Sequence, residues 1–150
     1  YEAAMAKAME DAKANGITAV AFGDLFLDDV RRYRESHLAA VGMKVEFPLW
    51  GRNTQDLARE MVRAGLRAVV TCVDPKQLSP AFAGRIYDES FLDDLPEGVD
   101  PCGENGEFHT FAYAGIMLSK PVPVVADEVV EREGFMFADV KLASNILTHL

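Results

Sequence analysis

The chain has 150 residues, of which 49% are hydrophobic and 26% charged, and its formal net charge is -9. This length and composition are typical of one globular domain, or of a domain with a smaller lobe, that buries a sizeable core. The acidic balance argues against a surface that coats nucleic acid, which needs a basic stripe. No apolar run approaches the roughly 18 residues of a membrane span. The two cysteines, Cys72 and Cys102, form neither a disulfide framework nor a metal-ligand spacing. We therefore expect a cytoplasmic, reduced protein that binds neither nucleic acid nor membrane.

The first half of the chain alternates helical and extended patterns. The predicted elements are a helix over residues 1–15, a strand over 17–22, a helix over 24–40, a strand over 43–50, a helix from Asn53 or Thr54 to Ala64, and a strand over 66–73. Strands that alternate with helices are typical of βαβ units. We therefore expect an α/β fold with a partial parallel sheet and flanking helices.

The rhythm changes after Pro75. Residues 76–97 predict short helices and turns, with 88–95 the clearest helical stretch. Three extended candidates follow, over 107–113, 122–131 and 134–140, and they connect without long helices. We expect an antiparallel second lobe and place the boundary so that residues 1–76 form the α/β part and 77–150 the second lobe. The role of residues 143–150 stays open.

Residues 98–111, GVDPCGENGEFHTF, crowd chemistry-bearing side chains into one short segment. The group consists of two carboxylates, an imidazole and two glycines: Glu104, Glu107, His109, Gly103 and Gly106. The glycines allow positive φ, so that the loop can fold back and aim Glu104 at the space near Glu107.

Strand alternation adds an expectation about direction. If Glu107 begins a strand, Glu107 and His109 point to one side while Phe108 and Thr110 point to the other. Such a cluster can coordinate a hard cation, serve as a general base or bind an amine. An ordinary turn with surface carboxylates and a half-buried imidazole explains the same residues equally well.

A second candidate site lies where the first predicted strand hands over to its helix. Gly23 and Asp24 stand there, and ligands of open α/β sheets bind beyond the carboxyl ends of the strands. The arginines of residues 31–35, RRYRE, can hold phosphate with their guanidinium forks. A turn glycine followed by a salt-bridged solvent face is the alternative, and the residue types alone favour it.

The order of several motifs resembles that of the diphthine–ammonia ligase family, which belongs to the adenine nucleotide alpha-hydrolase superfamily of PP-loop ATP pyrophosphatases. The segments that carry the resemblance are AFGDLFLDDVRRYRE, PLWGRNTQDLAREMV, AVVTCVDPKQL and the Gly-Glu-X-Gly-Glu segment of residues 98–111. The similarity covers roughly residues 1–142, and the residues within these motifs resemble those of the bacterial branch.

This resemblance implies a two-lobed enzyme with a HUP or Rossmann-like sheet that binds ATP with Mg²⁺. Its chemistry would activate a carboxylate as an acyl-adenylate, release pyrophosphate, and let ammonia displace AMP. By position, Glu104 and Glu107 would be catalytic. The expected substrate-binding residues are Gly103, Gly106, His109 and Thr110, and the expected nucleotide-binding residues are Gly23, Asp24, Tyr33 and Arg34. A metal site made of protein ligands is not expected.

The chain departs from this family in one motif, because the phosphate-binding sequence Ser-Gly-Gly-X-Asp-Ser is absent from its 150 residues. We therefore expect an N-terminally truncated, inactive chain with an exposed sheet edge, dimeric or altered in packing. The expected partners are ammonia and a small-molecule or protein carboxylate other than diphthine. Two alternatives stay open: a non-catalytic nucleotide- or ligand-binding module, and a metal-dependent hydrolase that uses Glu104, Glu107 and His109.

Overall fold

A computed structural model describes residues 2–143 of the chain. It divides into two compact units, Tyr1–Arg52 and Asn53–Leu150. A small parallel sheet lies in the first unit and a larger antiparallel sheet in the second, so that the predicted mixed α/β class is confirmed. The first unit ends at Arg52, and the predicted division into an α/β part and a second lobe after residue 76 stays a prediction. Among the helices of residues 2–143, none is long and apolar enough to cross a membrane.

The first unit is a short βαβ arrangement preceded by a helix. Its elements are α1 (Glu2–Ala14), β1 (Ala19–Ala21), α2 (Asp28–Ala40) and β2 (Lys44–Glu46). The strands pair in parallel, with Val20 opposite Val45. Both helices end where the sequence predicted, because Gly16 and Gly42 take the left-handed φ that stops a helix.

Two boundaries in this unit differ from the prediction. Helix α2 begins at Asp28 rather than Asp24, because Leu25 is buried and its carbonyl accepts a hydrogen bond from the Gly51 backbone N–H. Those contacts hold the preceding segment in a loop. Strand β2 ends at Glu46 because Phe47 begins a turn, in which its carbonyl accepts from the Trp50 N–H.

The second unit joins short helices to a five-stranded antiparallel sheet. Its elements are α3 (Thr54–Arg63), β3 (Arg67–Val73), a 3-10 turn (Pro80–Phe82), β4 (Ile86–Tyr87), α4 (Glu89–Asp94), β5 (Phe108–Ala114), β6 (Val124–Arg132) and β7 (Phe135–Leu142). Strand β3 pairs with β4, β5 and β7, and β6 pairs with β7. Asn53 caps α3 as predicted, since its side chain accepts from the Asp56 N–H.

The prediction that β3 continues the parallel sheet is wrong. All three of its partners run antiparallel to it. The error has a physical source: Ala68, Val69 and Val70 are all buried, so both faces of the strand read as apolar. A continuous apolar run indicates burial on both faces but carries no information about the direction of the neighbouring strands.

The core of the second unit is built around Phe91. This side chain is fully buried, and its ring centroid lies 5.6 Å from that of Phe82, 5.1 Å from Tyr87 and 5.3 Å from Phe108. Offset and edge-to-face contacts of this kind stabilise aromatic clusters. Because Phe108 is the first residue of β5, the cluster fixes the point at which the chain leaves residues 98–107 and enters the sheet.

Candidate functional site

The loop before β5 is organised by the carboxylate of Glu107. This side chain is only 2% exposed. Its Oε1 accepts hydrogen bonds from the Asp100 backbone N–H at 2.9 Å and from Asn105 Nδ2 at 3.0 Å, and its Oε2 accepts from the Asn105 backbone N–H at 3.0 Å. A buried carboxylate that is hydrogen-bonded to backbone on both sides holds a loop in one shape. Glu107 is therefore a brace inside the loop.

Asp100 completes the brace from the other end, and sequence reasoning missed it. It is 8% exposed, and its Oδ2 accepts from the Glu104 backbone N–H at 2.9 Å. Asp100 and Glu107 thus bind each other's part of the loop, in the manner of a reciprocal helix cap. The available signal was an Asp three residues before a Gly-Glu pair, since Asp side chains accept from nearby backbone N–H groups in turns.

Two glycines let the loop close, as the sequence predicted. Gly103 has φ +69° and Gly106 has φ +83°, both in the left-handed region. They differ in the space around them. A Cβ on Gly103 would lie 2.8 Å from the Phe108 carbonyl oxygen, whereas a Cβ on Gly106 would meet nothing within 4 Å. Gly103 is therefore required for both conformation and close approach, and Gly106 for conformation alone.

The braced loop is also tied to the core beneath it. The Tyr87 hydroxyl donates to the Pro101 carbonyl at 2.7 Å, and burial raises the pKa of Tyr87 above its ordinary range. The Asp74 backbone N–H donates to the Glu107 carbonyl at 2.9 Å. These contacts fix the loop against β3 and β4 and leave little freedom for its backbone.

The predicted site residues of this segment fall into two groups. Glu104 is half-buried at the bend of the loop, whereas His109 and Thr110 are exposed on β5. The expectation that Glu107 and His109 point to the same side required Glu107 to begin the strand, and it does not. Glu107 precedes the first residue of β5, so strand alternation does not govern it, and its carboxylate turns into the loop. Glu104 joins the brace through its backbone N–H, which donates to Asp100 Oδ2.

We predict that Cys102 is unreactive in the folded protein. Its thiol lies 3.5 Å from the Thr54 carbonyl, and burial, with the nearby negative charges of Asp100 and Glu104, raises its pKa to about 12. At pH 8 the thiolate fraction, and hence the rate of alkylation by iodoacetamide, should fall by about a thousandfold relative to the unfolded chain. Mass spectrometry of the alkylated peptide measures this rate.

The same pKa shift predicts the sign of a stability change at high pH. The folded pKa lies above the unfolded one, so the contribution is fully present below about pH 9 and is lost as pH rises towards 12. Alkylation of Cys102 in the folded chain at the rate seen in urea would contradict the assignment.

The first unit gathers the predicted nucleotide-side residues near the carboxyl end of β1. Asp24 Oδ2 accepts from Arg34 Nε at 3.3 Å, and both side chains are largely buried. The Arg34 guanidinium also lies over the Phe22 ring, 4.4 Å from its centroid. Gly23 stands exposed between Phe22 and Asp24 with open space around its Cα. These residues are held together, with Arg34 clamped between a carboxylate and a ring.

A cavity of about 190 Å³ lies between the two helices of this unit, and apolar side chains dominate its wall. Tyr33 and Arg34 line it together with Phe22, Met9 and Leu38. The Tyr33 ring stacks on His37 with 3.9 Å between centroids. Tyr33 and Arg34 therefore line the same cavity.

The hypothesis of a metal-dependent hydrolase finds no support in the geometry. Within residues 2–143, no three His, Cys, Asp or Glu side chains come close enough to hold a metal ion. Glu107 is engaged with the loop, so it does not join Glu104 and His109 in a ligand set. Mg²⁺ is held in many proteins by substrate phosphates and one or two carboxylates rather than by a protein cage.

The fold and site together define a mixed α/β protein whose second unit carries a carboxylate-braced Gly-Glu-Asn-Gly-Glu loop. The family profile of the diphthamide synthase C-terminal domain matches residues 53–146. The chain therefore belongs to the diphthamide synthase family, and the resemblance to diphthine–ammonia ligases is confirmed.

Curated relatives agree with this family. The chain is 32% identical over 130 residues to the diphthine–ammonia ligases of Homo sapiens and Bos taurus, which covers 83% of the chain and 49% of each relative. It is 32% identical over 120 residues to the diphthine–ammonia ligase of Danio rerio, with 76% of the chain and 47% of the relative covered. The chain thus spans about half the length of the relatives it matches.

Proposed function

We propose that this chain is part of an ATP-dependent carboxylate–ammonia ligase. A carboxylate oxygen of the acceptor attacks the α-phosphorus of ATP, and the bond to pyrophosphate breaks. The ammonia nitrogen then attacks the acyl carbon of the adenylate, and the bond to AMP breaks as the amide forms. The observation that carries this proposal is the braced loop, which presents Glu104 at its bend while Asp100 and Glu107 hold the backbone.

The loop suggests a division of labour between the two glutamates. Ammonia must reach the acyl carbon as the free amine, so a carboxylate that binds ammonium and accepts its proton assists the second step. We assign this role to Glu104, which lies at the bend of the loop. Glu107 already accepts three hydrogen bonds from the loop, so we assign it to positioning rather than to proton transfer. His109 and Thr110, exposed on β5, would contact the acceptor.

The nucleotide side of the reaction falls to the first unit. Gly23 leaves open space where a side chain would lie, so a ligand can approach the backbone closely there. Asp24 pairs with Arg34, and Arg34 lines a cavity together with Tyr33. ATP would be bound here with Mg²⁺, which supplies neutralisation of phosphate charge. The 150 residues contain no Ser-Gly-Gly-X-Asp-Ser loop, and we propose that the chain without that loop is catalytically inactive.

The proposal also covers the acceptor carboxylate and the oligomeric state. The relatives are diphthine–ammonia ligases by name, and we propose a small-molecule or protein carboxylate as the acceptor here, in a cytoplasmic protein that can form a homodimer. A non-catalytic nucleotide- or ligand-binding module is the second candidate, because the phosphate-binding sequence is absent. The two differ in one observable: only the ligase makes AMP in an ammonium-dependent reaction.

A Glu104→Gln variant tests the proposed role of the loop. The assay uses a form of the protein extended to carry the phosphate loop. It contains Mg·ATP, ammonium and a panel of carboxylates that includes diphthine, and ³¹P NMR follows the formation of AMP and pyrophosphate. We expect the variant to slow ammonium-dependent AMP formation by about 10²-fold, since it removes a proton acceptor.

Glu97→Gln serves as the matched control, because Glu97 is exposed and precedes the braced loop. It should leave the rate within about twofold of the parent, as surface substitutions usually do. Equal rates for the Glu104 variant and the parent enzyme would remove Glu104 from the chemistry.

A further inference from the structure

Arg31 occupies a distinctive place in the first unit. Phe22 directly follows β1 and Phe47 directly follows β2, so their rings mark the carboxyl edge of the two parallel strands. The two rings lie 6.0 Å apart in a stacked arrangement, and Trp50 meets Phe47 edge to face at 5.9 Å. Arg31, in the first turns of α2, reaches this aromatic row.

Three contacts hold the Arg31 guanidinium. Its Cζ lies 5.0 Å from the Phe47 ring centroid and 4.7 Å from that of Trp50. Its Nε donates to Glu35 Oε1 at 2.8 Å. Two ring contacts and one ion pair reduce the rotational freedom of a long side chain, so less entropy is lost when it binds a ligand. Arg31 is therefore partly pre-organised.

The terminal nitrogens of Arg31 have a different environment from its Nε. Within residues 2–143, the Nη1 and Nη2 atoms donate no hydrogen bond to protein, and the side chain is 37% exposed. A guanidinium whose Nε is engaged still presents its two terminal nitrogens as a fork that matches an oxyanion bidentately. The residue types of 31–35 favoured a salt-bridged solvent face, and the ion pair between Arg31 and Glu35 agrees with it. The contacts of Arg31 with the two aromatic rings are not a feature of a solvent face.

We propose that Arg31 is an oxyanion-binding residue whose ligand is a phosphate group. Ligands of parallel α/β sheets bind beyond the carboxyl ends of the strands, which is where Phe22 and Phe47 lie. The inference rests on the proposed function for the identity of the anion, which would be the pyrophosphate portion of ATP. Glu35, Asp28 and Asp29 reduce the local positive charge. The ligand is therefore held by the geometry of the fork rather than by net charge.

The position of Trp50 supplies a direct test. It is the only tryptophan of the chain, and the Arg31 guanidinium lies against its ring. We would titrate inorganic pyrophosphate into the 150-residue chain at constant ionic strength and follow Trp50 fluorescence. A saturable change is expected for the parent chain, with the dissociation constant raised about tenfold or more in Arg31→Ala, since a charge-assisted hydrogen-bond pair is lost.

Arg32→Ala is the matched control, because Arg32 is the neighbouring, exposed residue of the same charge. It should bind pyrophosphate within about twofold of the parent chain. Arg31→Lys keeps a cation near the rings but removes the fork, so it should also weaken binding, and it decides the matter if circular dichroism shows that Arg31→Ala is unfolded.

Two results would overturn the inference: a fluorescence response that does not saturate, and equal affinity in the parent and in Arg31→Lys. Neither result touches the formation of AMP by the loop-bearing protein. Conversely, Arg31 can bind pyrophosphate even if the ligase reaction is not observed. The failure of one proposal can therefore be distinguished from the failure of the other.

Discussion

A Glu107→Ala variant is expected to lose about 3 kcal/mol of the free energy of unfolding. The substitution removes the acceptor of three hydrogen bonds and leaves the Asp100 and Asn105 backbone N–H groups without their partner. Each buried donor that loses its acceptor costs about 1–3 kcal/mol. The Asp100 N–H is the costlier of the two, because Asp100 is buried whereas Asn105 is exposed to water. Thermal unfolding should show a midpoint lowered by roughly 10 °C.

Glu107→Gln provides the control for this loss. The amide keeps the size of the side chain and one carbonyl oxygen, which can occupy the Oε1 position and accept from Asp100 and Asn105 Nδ2. Its NH₂ group then faces the Asn105 N–H, so about 1 kcal/mol should be lost. If the alanine and glutamine variants were as stable as the parent chain, Glu107 would not brace the loop.

A Gly103→Ala variant should be destabilised by about 3 kcal/mol. The residue sits at φ +69°, where a non-glycine residue costs about 1–2 kcal/mol. The new Cβ would also lie 2.8 Å from the Phe108 carbonyl oxygen, so the backbone must move at the start of β5. Crowding of a packed site adds about 1–3 kcal/mol. Urea unfolding of the purified chain measures the loss.

Gly106→Ala separates strain from crowding. Gly106 has a similar φ of +83°, but a Cβ there meets nothing within 4 Å. Its substitution should therefore cost only the conformational part, about 1–2 kcal/mol. Equal losses at Gly103 and Gly106 would show that the close approach to Phe108 is not a constraint on the loop.

Local patterns predicted most elements of this fold because each has a local cause. The Asn53 cap, the stops at Gly16 and Gly42, and the strands after residue 107 all follow from nearby residues. The neighbours of β3 do not. Its residues are buried on both faces, and an apolar run of that kind is equally suited to parallel and antiparallel partners.

The site shows the same limit at the level of side chains. The motif predicted the glycines and drew attention to Glu104 and Glu107, and the positive φ of Gly103 and Gly106 is as expected. The brace left only a weak signal in the sequence, the Asp before a Gly-Glu pair, because its acceptors bind backbone N–H groups, which every residue but proline carries. Asp100 was missed for this reason. Strand alternation was likewise applied one residue too early, at Glu107.

The proposed ligase activity can be measured by ³¹P NMR of Mg·ATP turnover, with ammonium and the carboxylate panel. The 150-residue chain is compared with the form that carries the phosphate loop. We expect AMP and pyrophosphate, dependent on ammonium, from the loop-bearing form, and no turnover from the chain alone. ADP and phosphate as products, AMP formation that ignores ammonium, or turnover by the 150-residue chain would contradict this expectation.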